Sequence, residues 1–203
     1  MPRLTLMTHV PAGQTWRSTE KAKTRQRYLD EAARLFASRG FHAVSIDDLG
    51  AAVGVSGPAL YRHFRGKEAI LSEILVGVSE RLMAGLEATL AERAEPRETL
   101  LGLIDFHVDF AVSERDVIRL QDRELASLPE AQNRAVRTLQ RRYLDGWVEV
   151  LRALRPEATQ AELRVLMQGV FGLLNSTAHN SAVAKGTDVR RILADAAAAV
   201  LLT

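Results

Sequence analysis

The chain has 203 residues, with 27 Lys+Arg against 25 Asp+Glu, a formal charge of only +2. Its 47% apolar and 26% charged residues suit a globular chain that buries a real core, and are too apolar for intrinsic disorder. Cysteine is absent, which excludes a disulfide framework, a thiol nucleophile, thiolate zinc and iron–sulfur clusters.

From the start of the chain, Met1–Gly13 holds no apolar block long enough for a signal peptide, because Thr, His and Pro interrupt it. No stretch approaches the roughly 20 apolar residues that span a bilayer. The simplest reading is a cytoplasmic protein without membrane contact. Charge is unevenly spread. Through Lys67 there are eleven Lys/Arg against five Asp/Glu, and the remainder has sixteen against twenty. A basic head on an acidic body suggests that the head alone meets a polyanion.

Apolar residues recur at three- and four-residue spacing and period-two β-branched runs are missing, so the fold class is all-α, with about nine helices. Residues 1–18 read as a flexible N-terminal arm, 19–66 as a three-helix head and 67–203 as a helical body. The first helix covers about Thr19–Arg39, with Tyr28, Leu29, Ala32, Leu35 and Phe36 on one stripe, and Gly40 stops it. Ser45 opens a short second helix, with Asp48 three residues on in a capping-box arrangement. After Gly54-Val55, Ser56 is placed to cap a third, with Gly57 and Pro58 in its first turn. Long segments follow at about Lys67–Arg93, from Pro96, Val117–Ser127, Glu130–Leu154, Gln160–Ser181 and Asp188–Leu202.

Residues 45–67, SIDDLGAAVGVSGPALYRHFRGK, carry the chemistry. Two short helices joined by a glycine-containing turn form a helix-turn-helix, whose second helix fits the DNA major groove. The leading turn, Ser56, Gly57, Pro58 and Ala59, is small enough for close backbone approach to base edges. Tyr61, Arg62, His63 and Lys67 follow, side chains that suit phosphate oxygens beside a groove.

The string Ser45-Ile46-x-x-Leu49-x-x-x-x-Gly54-Val55-Ser56-x-x-x-Leu60-Tyr61-x-His63-Phe64-x-x-Lys67-Glu68 resembles the DNA-binding signature of the tetracycline-repressor (TetR) family of transcription regulators. Ala32-x-x-Leu35-Phe36-x-x-x-Gly40-Phe41 looks like the end of that family's first helix. The resemblance covers about Arg27–Leu71. It implies that Tyr61 and Lys67 clamp phosphates, that Ser45 donates to phosphate, and that Ser56, Gly57, Pro58 and Ala59 lie nearest the bases. It places His63 near the DNA backbone, with Thr24 and Arg25 adding phosphate contacts. Arg62 is ranked as a phosphate or solvent residue ahead of a guanine reader. The expected partner is double-stranded DNA with a palindromic operator, read by a homodimer.

For the body, the same resemblance implies a dimer interface from about 160–181 and 188–202. Leu163, Leu166, Met167, Val170, Phe171 and Leu174 supply a broad apolar face there, with Gly169 and Gly172 as gaps. A pocket for a small-molecule effector is expected among Phe106, His107, Phe110, Leu120, Tyr143, Trp147, Phe171, Asn175 and His179. Arg119, Gln121, Asp122, Arg123 and Glu124 crowd one segment, either as a solvated face or as a reader of a charged ligand, since part of the family answers to acyl-CoA thioesters. No histidine pair or carboxylate cluster has metal-ligand spacing, so no metal or other cofactor is expected.

The signatures of common enzymes fail: there is no G-x-S-x-G elbow, P-loop, dinucleotide fingerprint or H-E-x-x-H. The reading is a ligand-responsive homodimeric repressor without catalytic residues, released by a small amphipathic ligand, an acyl-CoA being one such molecule. An activator of the same fold and an all-helical module that does not bind DNA are the alternatives.

Overall fold

The computed structural model describes residues 16–92, 95–179 and 187–203. Nine α-helices occupy them, and no strand occurs among the described residues. They are α1 (Trp16–Arg39), α2 (Ile46–Val53), α3 (Gly57–Leu60), α4 (Lys67–Glu92), α5 (Pro96–Ser113), α6 (Arg115–Glu124), α7 (Glu130–Leu154), α8 (Gln160–Asn175) and α9 (Val189–Leu202). Single 3₁₀ turns at Leu125–Ser127 and Ser176–Ala178 extend α6 and α8. Most of the expected arm lies outside the described residues, and its last three, 16–18, belong to α1. The end of the expected Gln160–Ser181 segment also lies outside them.

Local chemistry sets several of these boundaries. Gly40, at φ 86°, leaves α1 through a left-handed conformation. Ser45 and Asp48 form the anticipated capping box, and Thr159 and Glu162 form a second one that starts α8. Pro96 stands in the first turn of α5, where its missing N–H leaves no bond unmade.

Two apolar cores result. The first joins Leu35, Phe36, Phe41, Leu49, Leu60 and Phe64 of the head to Ile70, Leu71 and Leu75 of α4 and to Val117 and Leu120 of α6. The helix expected to open the body therefore closes the head, and α6 is fused to it as well. The second core packs Leu100, Leu103, Ile104, Trp147, Leu151, Met167, Leu174 and Ala197 from α5, α7, α8 and α9.

This packing corrects the expected dimer face. Leu163, Met167, Val170 and Leu174 are buried inside their own chain, and Leu166 and Phe171 pack against them. On its opposite face α8 leaves Ala161, Val165, Gln168, Gly169 and Gly172 exposed, and α9 leaves Ile192, Ala199 and Val200 exposed. Val165 keeps 69% of its surface exposed.

Candidate nucleic-acid interface and ligand cavity

The helix-turn-helix is tight because glycine lets its two helices meet. A side chain at Gly50 would begin 2.7 Å from the Val55 carbonyl oxygen, and Gly54 turns the chain at φ 75°. The second helix is shorter than expected. α3 spans four residues, and hydrogen-bonded turns continue it: the His63 and Phe64 amides both donate to the Leu60 carbonyl. Ser56 holds the N-cap backbone conformation, but its hydroxyl makes no capping bond, so only its position caps.

The residues assigned to DNA fall into two groups. Ser56, Pro58, Tyr61 and Arg62 are exposed together along α3 and the turns after it, with Ala59 half-exposed beside them. Tyr61 exposes 58% of its surface, far more than an aromatic ring retains in a core. Arg65, not singled out from the sequence, is exposed just beyond them. Its signal was there, as one more cation in a basic head.

The second group is buried, half-buried or bonded within the chain. Gly57 is buried against the Asp47 carboxylate, which leaves no room for a Cβ there. The Ser45 hydroxyl donates to Asp48 Oδ2 and accepts from the Asp48 amide, which caps α2 internally. That pairing also holds the Asp48 carboxyl below its ordinary range. Arg25 binds the Glu73 carboxylate, donates to the His63 carbonyl and lies 4.2 Å above the Phe64 ring. Lys67 Nζ donates to the carbonyls of Phe41, His42 and Val44 at 3.1, 3.3 and 3.2 Å, which occupies all three ammonium protons. Both cations hold the head together. His63 is half-buried, edge-on to Tyr28 at 5.3 Å, and Thr24 is half-buried on α1.

In the body, His107, Phe110, Tyr143, Phe171 and Asn175 come together around a cavity of about 210 Å³. Ser79 and Leu82 of α4, Ile118 and Gln121 of α6, and Leu139, Gln140 and Leu144 of α7 complete its wall, and among the described residues no charged side chain lines it. Of these, Gln121 was the legible clue, a polar residue beside Val117 and Ile118 on α6.

Four expected residues stand elsewhere. Leu120 is fully buried in the head core. Phe106 lies across α4 at Gly85, where a Cβ would sit 1.9 Å from its ring. Trp147 is fully buried behind the cavity, edge-on to His107 and Phe171. His179 is exposed and pairs with Asp122 at 3.0 Å.

The polar centre of the cavity is His107. Its Nδ1 lies 3.0 Å from the Tyr143 hydroxyl and its Nε2 lies 3.3 Å from Asn175 Oδ1. Complete burial disfavours the charged ring and pushes its pKa down to about 4, against a smaller upward pull from Asn175. The ring is therefore neutral at pH 7: Nε2–H donates to Asn175, and Nδ1 accepts the Tyr143 O–H. Burial likewise raises the Tyr143 hydroxyl above its usual range.

The crowded α6 segment is spoken for. Arg119 pairs with Asp116, and Asp122 pairs with His179. Arg123 Nη1 donates to the Ala37 carbonyl at 3.1 Å, and Glu124 Oε1 accepts from the Phe41 amide at 3.3 Å. Those last two contacts fasten α6 to the end of α1.

Comparison with known proteins agrees with this geometry. Residues 29–74 match the family model for bacterial regulatory proteins of the tetR family, and residues 93–179 match the tetracyclin repressor-like C-terminal domain. The chain belongs to the TetR family. It is 37% identical over 98 residues to the HTH-type transcriptional repressor KstR2 of Rhodococcus jostii, covering 48% of this chain and 47% of that protein. Over 128 residues it is 34% identical to KstR2 of Mycobacterium tuberculosis, covering 61% and 62%. The matches thus span about half to two thirds of these relatives. A TetR-family regulator structure from Bordetella parapertussis superposes with a TM-score of 0.79 at 28% identity, covering 88% of this chain and 93% of that one. Among the described residues, no helix is long and apolar enough to cross a membrane.

Proposed function

We propose that this TetR-family chain is a homodimeric, ligand-responsive repressor, in which a small amphipathic effector such as an acyl-CoA enters the α4–α8 cavity and releases operator DNA. One observation carries the coupling: the helices that wall the cavity also hold the head. α4 gives Ser79 and Leu82 to the cavity and Ile70 and Leu71 to the head core. α6 gives Ile118 and Gln121 to the cavity, and Leu120, Arg123 and Glu124 to the head. Gln121 and Arg123 stand two residues apart, so a ligand that displaces Gln121 also moves the Arg123–Ala37 contact. A ligand shifts the equilibrium only by its differential affinity for the two states, and a shared rigid helix supplies that difference.

The DNA surface rests on Ser56, Pro58, Ala59, Tyr61, Arg62 and Arg65. Few of these read bases bidentately, so the operator's length and symmetry carry much of the discrimination, two heads reading one palindrome. The exposed faces of α8 and α9, largely apolar with two glycines and one glutamine, support a paired body. Similarity to KstR2 repressors favours repression.

The test is fluorescence anisotropy on the duplex upstream of the protein's own coding region. Binding falls steeply with salt, and Arg62→Ala and Arg65→Ala each flatten the log–log salt slope by about one. Indifference to that duplex and to random DNA at low salt would overturn the DNA-binding reading.

A further inference from the structure

The cavity has a basic neighbour. Gln140 and Leu144 line both the cavity and a groove of about 360 Å³ on the outer side of α7. The rest of that groove is Arg134, Arg137, Thr138 and Arg141, and among the described residues no carboxylate lines it. The three arginines are exposed and stand at i, i+3 and i+7, on one face of the helix. Arg134 reaches Glu130 one turn away, an exposed pair of little strength, and Arg137 Nε donates to Asn133 Oδ1 at 2.8 Å. These cations lie on a body helix, outside the helix-turn-helix whose surface accounts for DNA.

Size and charge together select a ligand class. The cavity's 210 Å³ exceeds the ~150 Å³ that admits benzene to a protein core. It falls short of the ~300–1,000 Å³ of sites that enclose a drug-sized molecule. A small apolar group fits inside, and anything it is attached to lies outside. The cavity offers amides, hydroxyls and a neutral imidazole but no cation, so an anionic part is unmatched within it. Past the shared Gln140 and Leu144, the charged groups that line the neighbouring groove are guanidinium groups. From Arg134 to Arg141 the helix rises about 10 Å, wider than one carboxylate and suited to phosphates spread along a carrier.

We propose that Arg134, Arg137 and Arg141 form a phosphate-binding site for an effector whose short apolar group occupies the cavity, the two being joined past Gln140 and Leu144. The assignment rests on the effector reading above and adds the anionic half of the ligand. A nucleotide thioester and a simple diphosphate ester share this chemistry.

Titration calorimetry with the full chain separates the cases, using butanoyl coenzyme A, dimethylallyl diphosphate, free coenzyme A, butanoate and butanamide. A phosphate-bearing apolar probe binds at least tenfold tighter than butanamide, and its affinity falls with salt. Arg137→Glu combined with Arg141→Glu removes that advantage by tenfold or more while leaving butanamide binding and the circular dichroism unchanged. Preference for the thioester or the diphosphate identifies the carrier. Equal binding of a phosphorylated probe by the parent and the charge-reversed variant overturns the site, as does failure of both phosphorylated probes to bind the parent. If butanamide still binds in either case, and is lost in Phe171→Glu, the cavity remains the effector site and only the arginine assignment fails. If butanamide also fails to bind, the effector reading falls with it.

Discussion

Arg25 and Glu73 form a two-pronged ion pair that fastens α1 to α4, with Nε 2.6 Å from Oε1 and a second contact from Nη2 to Oε2. The same guanidinium donates to the His63 carbonyl in the turns that follow α3. Arg25 thus ties three elements together at the point where the head meets α4. The pair is about one third exposed, so its worth is on the order of 1 kcal/mol.

Glu73→Ala distinguishes positioning from direct phosphate contact. If Arg25 positions His63 and α4, removing the carboxylate loosens the head and lowers DNA affinity several-fold. If Arg25 instead served phosphates, losing a nearby negative charge would raise affinity. Anisotropy titrations of Glu73→Ala and Arg25→Ala, with the double variant closing the cycle, give the sign.

Lys67 yields a prediction about stability first and DNA second. Its three carbonyl bonds and its place 4.7 Å from the Phe41 ring centre bridge the turn between α1 and α2. Lys67→Ala leaves those carbonyls to water and costs about 1–3 kcal/mol. That lowers the melting temperature by several degrees in a chain of this size. DNA affinity falls on all sequences alike, but the salt slope stays put, because no phosphate contact is lost. A slope reduced by about one with an unchanged melt would return Lys67 to the phosphates.

His107 makes stability depend on pH. The ring titrates near 4 when folded, and its ordinary value is 6.5. Between those values the unfolded chain binds the extra proton, so stability rises with pH across that window and levels off above it. The groups facing the ring are Tyr143, Asn175, Phe110, Trp147 and Phe171, none of them charged near neutral pH. The full effect is about 3 kcal/mol. Thermal melts of the parent and His107→Gln at pH about 4.5 and about 7 should show a clearly smaller drop for the variant. Equal drops would mean that the folded ring already accepts its proton at mildly acidic pH.

The helices were legible because apolar spacing, caps and prolines write them directly into the chain. Among the described residues α1, α4, α7 and α9 hold within three residues of their expected bounds, whereas α8 ends at Asn175, short of the expected Ser181. The helix-turn-helix was legible for a further reason: Gly50, Gly54 and the Ser45–Asp48 box are local, and local chemistry survives in a linear string. What did not show was how shared cations are spent. Lys67 and Arg25 look like free phosphate ligands in the sequence, and only the fold brings Phe41, Val44, His63 and Glu73 within their reach. The cavity was half legible for the same reason. His107, Tyr143 and Phe171 announce themselves as aromatics, whereas Ser79 and Gln140 become wall residues only when α4 packs on α7.

The same distinction between local pattern and packing governs the dimer. An apolar stripe on α8 invites assignment to a partner, yet its larger side chains are spent inside the chain, which leaves Val165, Gly169 and Gly172 facing outward. A Cβ added at Gly169 or Gly172 meets nothing within 4 Å in its own chain. Gly169→Ala therefore strengthens the isolated helix by about 0.8–1.0 kcal/mol. In a body paired through this stripe, the added methyl instead meets the partner's surface and weakens association. Val165→Glu goes further, placing a charge in the contact without disturbing the chain's own core. Sedimentation equilibrium should show Val165→Glu shifted to monomer, with Gly169→Ala a weaker dimer that melts no lower as a monomer. Operator affinity of Val165→Glu should drop roughly 10²–10⁴-fold, because the two half-sites no longer bind as one event. A Val165→Glu protein that stays dimeric would place the interface on another face.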